Sequence, residues 1–114
     1  MSNTMTHSHI TNAERGSHMK KMAHDLRKIV RDFGKVPNVA IGVHHEIMAD
    51  HVEYFGEITC DTLTHGQFLI IWRALRAMFG KLNVEFSESA DGVSFHVIES
   101  FWWTADEIAQ VTTD

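Results

Sequence analysis

Apolar side chains recur every three or four residues in two stretches of the chain and every second residue in two others, and these periods predict the elements. The clearest stretch is 64–81. Phe68, Ile71, Trp72, Leu75, Met78 and Phe79 fall in one helical stripe, with Arg73 and Arg76 on the opposite side. Thr64 and Gln67 have the spacing of a capping box at its start, and Gly80 supplies the residue that ends helices. Leu69 and Ile70 widen the apolar face beyond what one sheet covers, which predicts a contact with a second element or another subunit.

An earlier helix follows from Met22, Ala23, Leu26, Ile29, Val30 and Phe33, starting at Met19, ended by Gly34 and kept from resuming by Pro37. Between the two helices the period drops to two. Val39, Ile41, Val43, His45 and Ile47 fall on one side of a strand; after a turn at Ala49 and Asp50, Val52, Tyr54, Gly56, Ile58 and Cys60 do the same. Pairing Ile47 with Val52 brings both apolar sets onto one face and leaves His44, Glu46, Glu53, Phe55 and Glu57 on the other. A second hairpin turns at Asp91-Gly92, with Val84, Phe86, Val93, Phe95 and Val97 on one face; Glu85, Ser87, Ser94 and His96 point away, sharing their side with Ile98 and Trp102. Thr104 and Glu107 open a short last helix, with Trp103 and Ile108 spaced as a hydrophobic staple.

The predicted fold is therefore α+β: a two-layer protein with an antiparallel four-stranded sheet from two hairpins, its helices on one face, in the order α-β-β-α-β-β-α. An αββ unit repeats in length, though not in residue pattern. Residues 19–114 are read as a single domain. Residues 1–18 are polar, without an apolar period, and are expected to be a disordered tail. Within them Arg15-Gly16-Ser17-His18-Met19 matches the remnant of a protease-cleavable expression vector, which would make Met19 the native start. His7 and His9 receive no functional weight.

Composition narrows the function classes. The 114 residues are 44% hydrophobic and 22% charged, and no apolar run is long enough to span a bilayer, so a soluble protein without a membrane partner is expected. A single cysteine, Cys60, cannot form an internal disulfide, and the start lacks a secretory signal, which together point to the cytoplasm. The formal charge of −5 is unevenly spread, with +4 over residues 1–37 and −9 over residues 38–114. Such a split suits an anionic partner for the basic part, or packing of the two parts on each other or on a second copy.

No nucleophile elbow, phosphate loop or dinucleotide fingerprint occurs, which removes most support for acyl transfer and nucleotide hydrolysis. The favoured reading is a small acidic, non-enzymatic protein-binding module of the inhibitor, adaptor, immunity or chaperone-like kind, working as a homodimer with another protein as partner and needing no cofactor. Its interaction residues are expected to be Leu69, Ile70, Arg73, Arg76, Ile98, Trp102 and Trp103. On a strand, Trp102 and Trp103 cannot both face inward, so one is available as an interface anchor. The alternative is a small metal-assisted or acid-base enzyme using His44, Glu46, His51 and Glu53, although no metal-ligand spacing supports it. A third reading, less favoured, is nucleic-acid binding through a basic first-helix face of Lys20, Lys21, Arg27, Lys28 and Arg31. His45, opposite Tyr54 on the apolar face, is expected to be a satisfied half-buried histidine, and Cys60 a buried inert thiol.

Overall fold

The computed structural model describes residues 9–34, 36 and 38–113, with backbone alone at 33, 34 and 110–113. The elements run α1 (Asn12–Ile29, followed by a π-helical turn Val30–Gly34), β1 (Val39–Ile47), β2 (His51–Cys60), α2 (His65–Phe79, followed by a 3-10 turn Lys81–Asn83), β3 (Val84–Ser89), β4 (Gly92–Trp102) and α3 (Ala105–Thr113). One antiparallel sheet has the order β1-β2-β4-β3. That order is unchanged by a two-fold axis between β2 and β4 that swaps the hairpins, so the αββ repeat seen in element lengths is also a repeat of connectivity.

Each hairpin is fixed by its alternation. In the first, Ile47 pairs with Val52 and Val39 with Cys60, as the apolar sets require. In the second, Ser89 pairs with Gly92 and Phe86 with Phe95, so the loop is Ala90-Asp91 and not Asp91-Gly92. The register is two residues from the expected one. A two-residue slip preserves every side chain's face, which is why the faces were assigned correctly while the turn was not. The position of Gly92 has a separate cause. Its φ is +145°, and a Cβ there would stand 2.1 Å from the Cys60 carbonyl oxygen, because the start of β4 runs against the end of β2.

Both long helices touch the same face of the sheet. Met22 and Leu26 of α1 sit over Gly56, where a Cβ would meet Leu26 Cδ1 and Val97 Cγ2 at 2.8 Å each, so the missing side chain sets how closely α1 approaches. Phe68 of α2 stacks on Phe95 at 5.5 Å and meets Phe86 edge-on at 4.8 Å. The core between them holds Met22, Leu26, Ile29, Val52, Tyr54, Ile58, Cys60, Ile71, Leu75, Phe79, Phe95 and Val97. No helix among the described residues is long and apolar enough to cross a membrane.

The α2 caps are as expected: Thr64 and Gln67 form a reciprocal capping box, and Gly80 at φ +98° ends the helix with its N–H on the Arg76 carbonyl. Met78 is not part of the buried stripe of Ile71, Leu75 and Phe79; it is 49% exposed, lying roughly 60° around the helix from Leu75 at the centre of that stripe. The first helix differs more. It starts at Asn12, seven residues before Met19, with Thr11 and Glu14 forming a capping box. The expectation of a disordered tail therefore fails over residues 9–18, while residues 1–8, including His7, lie outside the described residues, as do Lys35 and Pro37. Within the stretch that matches a vector remnant, Arg15 is buried and His18 bonds Glu99, so these residues are integrated into the fold.

Candidate functional site

The sheet has one face under α1 and α2 and one face open to solvent. The alternation of β1, β2 and β4 fixes what the open face carries. One row across the three strands is His44, Phe55 and Ile98; the row on one side of it is Glu46, Glu53 and Ser100; the row on the other is Gly42, Glu57 and His96, continued on β3 by Glu85. At the end of the face His51 pairs with Trp102. His44 stacks on Phe55 at 4.8 Å with rings 15° apart, and His51 stacks on Trp102 at 4.1 Å and 21°. The middle of the face is a shallow depression of about 370 Å³ lined by Gly42, His44, Phe55, Glu57, His96 and Ile98. Ile98 is 40% exposed and Trp102 66% exposed.

The charged groups here are carboxylates and histidines. Glu46 stands directly opposite Glu53, a like-charge cross-strand pair that costs a few tenths of a kcal/mol or more, of order 0.5 kcal/mol. His51 lies between neighbouring carboxylates, with Nδ1 2.8 Å from Asp50 and Nε2 3.6 Å from Glu53, and His96 Nδ1 is 3.4 Å from Glu57. The sequence places His44, Glu46 and Glu53 on one face with His51 at the turn; in the structure His51 is the first residue of β2 and shares that face with them. The fold does not make them converge: each imidazole of His44 and His51 lies flat on a different aromatic ring, and among the described residues no three His, Cys, Asp or Glu stand where they could hold a metal ion.

The seven expected interaction residues separate. Ile98 and Trp102 are on the open face, whereas Leu69, Ile70, Arg73 and Arg76 belong to α2 on the other side of the sheet. Trp103 is 8% exposed, so it is a core residue and not an anchor; its N–H donates to the Asp50 carbonyl at 3.0 Å. Arg76 lies 5.1 Å from the Trp72 ring centroid in a cation–π contact that occupies its guanidinium within the protomer. Ile70 remains 45% exposed. The basic face of α1 is exposed at Lys20, Lys21, Arg27, Lys28 and Arg31, yet much of it is internally paired. Lys21 bonds Asp25 at 2.9 Å; Lys28 and Arg31 both bond Asp32 and hold its carboxyl below the usual range.

A second polar assembly, which the sequence did not disclose, lies under the start of α1. His9 Nδ1 and the Tyr54 hydroxyl are 2.8 Å apart, His18 Nε2 is 2.8 Å from Glu99, and His9 stacks on Phe101 at 3.9 Å. Arg15 ties the entry to the helix by donating to the carbonyls of His9 and Ile10 and to Asn12 Oδ1. Tyr54 is fully buried, and that burial pushes its phenol up to about 12, so it stays a neutral hydroxyl throughout the physiological range. Glu99 pairs with Tyr54 across the strands and, like it, faces the helices. His45, on the same face, is half-buried with Nδ1 3.1 Å from Met19 Sδ. The assembly pins the first residues of the domain onto the sheet. Cys60 is buried, which pushes its thiol up with help from the neighbouring Asp61 charge, so it is a poor nucleophile.

No protein-family model, curated protein or solved structure matches this chain.

Proposed function

We propose that the chain is a non-enzymatic protein-binding module whose contact surface is the open face of the sheet. The observation that carries the reading is the apolar row of Phe55 and Ile98 running into an exposed Trp102, on a face that neither long helix covers. Apolar groups of this kind, centred and rimmed by polar side chains, are what an interface core presents. An enzyme reading finds less support, since the imidazoles of this face are stacked on aromatic rings and its carboxylates do not converge on one point. The nucleic-acid reading loses cations to the Asp25 and Asp32 pairs. A single buried thiol at Cys60 suits a cytoplasmic setting.

The test is capture from native lysate with wild-type protein beside Ile98→Asp and Trp102→Ala. Both side chains are exposed, so both variants should keep the wild-type melting temperature within about 2 °C. A specific protein retained by the wild type and lost with both variants is expected. Retention of the same proteins by Ile98→Asp would place the contact elsewhere. Self-association is the second part of the proposal, and the exposed Ile70 on α2 supports it. Sedimentation at micromolar concentration should show a dimer that Ile70→Asp converts to a folded monomer; a wild-type monomer removes this part.

A further inference from the structure

The ten Lys and Arg residues of the chain are distributed in a way that says what kind of protein the open face fits. Among the described residues none lies in any strand. Those on described residues occupy α1, its π-helical turn, α2 or the turn after it, whereas the four strands carry six Glu. Four of these, Glu46, Glu53, Glu57 and Glu85, are on the open face; Glu88 and Glu99 are on the other, as their pairing with Val93 and Tyr54 shows. Glu46 and Glu53 are direct cross-strand partners, and the one ion-pair partner either has among the described residues is His51, 3.6 Å from Glu53. The protomer thus places like charges around a partly exposed apolar row, with histidines and no Lys or Arg of the described residues beside them.

We propose that the partner is a basic protein segment that seats an apolar side chain on Phe55 and Ile98 and sets a Lys or Arg on each side of it, one at Glu46 and Glu53, the other at Glu57. This rests on the open face being the contact surface. The spacing suits an extended segment: Glu53 and Glu57 are four residues apart on β2, about 13 Å, with Phe55 midway on the same face. A partner strand reading cation, spacer, apolar, spacer, cation matches that period. A Lys or Arg seated there would pair with both carboxylates and offset the cost of placing like charges opposite each other.

The experiment is an amide chemical-shift titration of ¹⁵N-labelled protein with two synthetic peptides, one repeating Lys-Ser-Leu-Ser-Lys and one with Glu in place of each Lys. The basic peptide should perturb residues of β1, β2 and β4 around Phe55 and Ile98, and the acidic peptide should not. Glu53→Gln and Glu57→Gln should each weaken the basic peptide several-fold at 50 mM salt, whereas Glu88→Gln, the same charge change on the other face, should alter it less than twofold. Equal binding of the two peptides, perturbations confined to other surfaces, or no binding of the basic peptide would overturn the basic-partner assignment. So would self-association that occludes the open face and is lost when Lys20 and Arg27 are replaced, which makes the occupant a second copy. The capture experiment with Ile98→Asp judges the contact surface separately, whatever the charge of the protein it retains.

Discussion

At the scale of single residues, burial raises the pKa of the Tyr54 phenol and of the Cys60 thiol. Tyr54 is an example with a definite sign. Its folded-state pKa of about 12 exceeds the ordinary 10, so between those values the unfolded chain has lost the proton and the folded one has kept it. Its contribution is complete below pH 10 and is lost as pH rises toward 12, by roughly 2 to 3 kcal/mol. Urea unfolding at pH 9 and pH 11.5 should show this loss in the wild type and a smaller one in Tyr54→Phe, which gives up only the His9 bond, about 1 kcal/mol, at neutral pH. An equal alkaline loss in both proteins would mean that the phenol ionises freely in the fold. Glycines give a second contrast. Gly56→Ala should cost about 1 to 3 kcal/mol, because its Cβ would press on Leu26 and Val97, whereas Gly42→Ala meets nothing within 4 Å and should fall within about 0.5 kcal/mol of wild type. Period-two alternation marked Tyr54 as inward-facing. What it would meet could not be read, because His9 is 45 residues away in a polar stretch with no period of its own.

At the scale of elements, the legible features were those in which local chemistry and tertiary packing agree. The capping boxes at Thr64 and Thr104 and the register of the first hairpin followed from the letters and are present. The start of α1 was missed for the opposite reason. Thr11 and Glu14 have the same capping spacing, but the residues after them are polar and include Gly16, so periodicity gave no helix; the fold supplies what propensity lacks by burying Arg15 and bonding His18 to Glu99. The cap should therefore matter. Thr11→Ala and Thr64→Ala should each lower stability by about 1 kcal/mol, read as a shift in urea midpoint at constant slope. No effect at Thr11 would show that α1 does not depend on its cap. The second hairpin was displaced by two residues because an Asp-Gly pair is a strong turn signal in isolation, whereas here the glycine is required one step later, against the Cys60 carbonyl.

At the scale of the molecule, the charge asymmetry of the sequence becomes a spatial one: the described Lys and Arg residues are all on helices or helical turns, the strands carry Glu but neither Lys nor Arg, and an apolar row with Trp102 is on the face opposite α1 and α2. The sequence placed Ile98 and Trp102 on the right side of the sheet but grouped them with Leu69 and Ile70, since linear spacing cannot tell which sheet face a distant helix covers. Binding on the open face is the proposal on which the rest depends. Hydroxyl-radical footprinting of the protein with and without its captured partner tests it most directly, because both surfaces offer oxidisable exposed side chains: Trp102 and Ile98 on the strands, Ile70 and Met78 on α2. The partner should slow oxidation of Trp102 and Ile98 several-fold and leave Ile70 and Met78 unchanged. Protection of Ile70 and Met78 with Trp102 oxidised at its free rate would contradict the proposal.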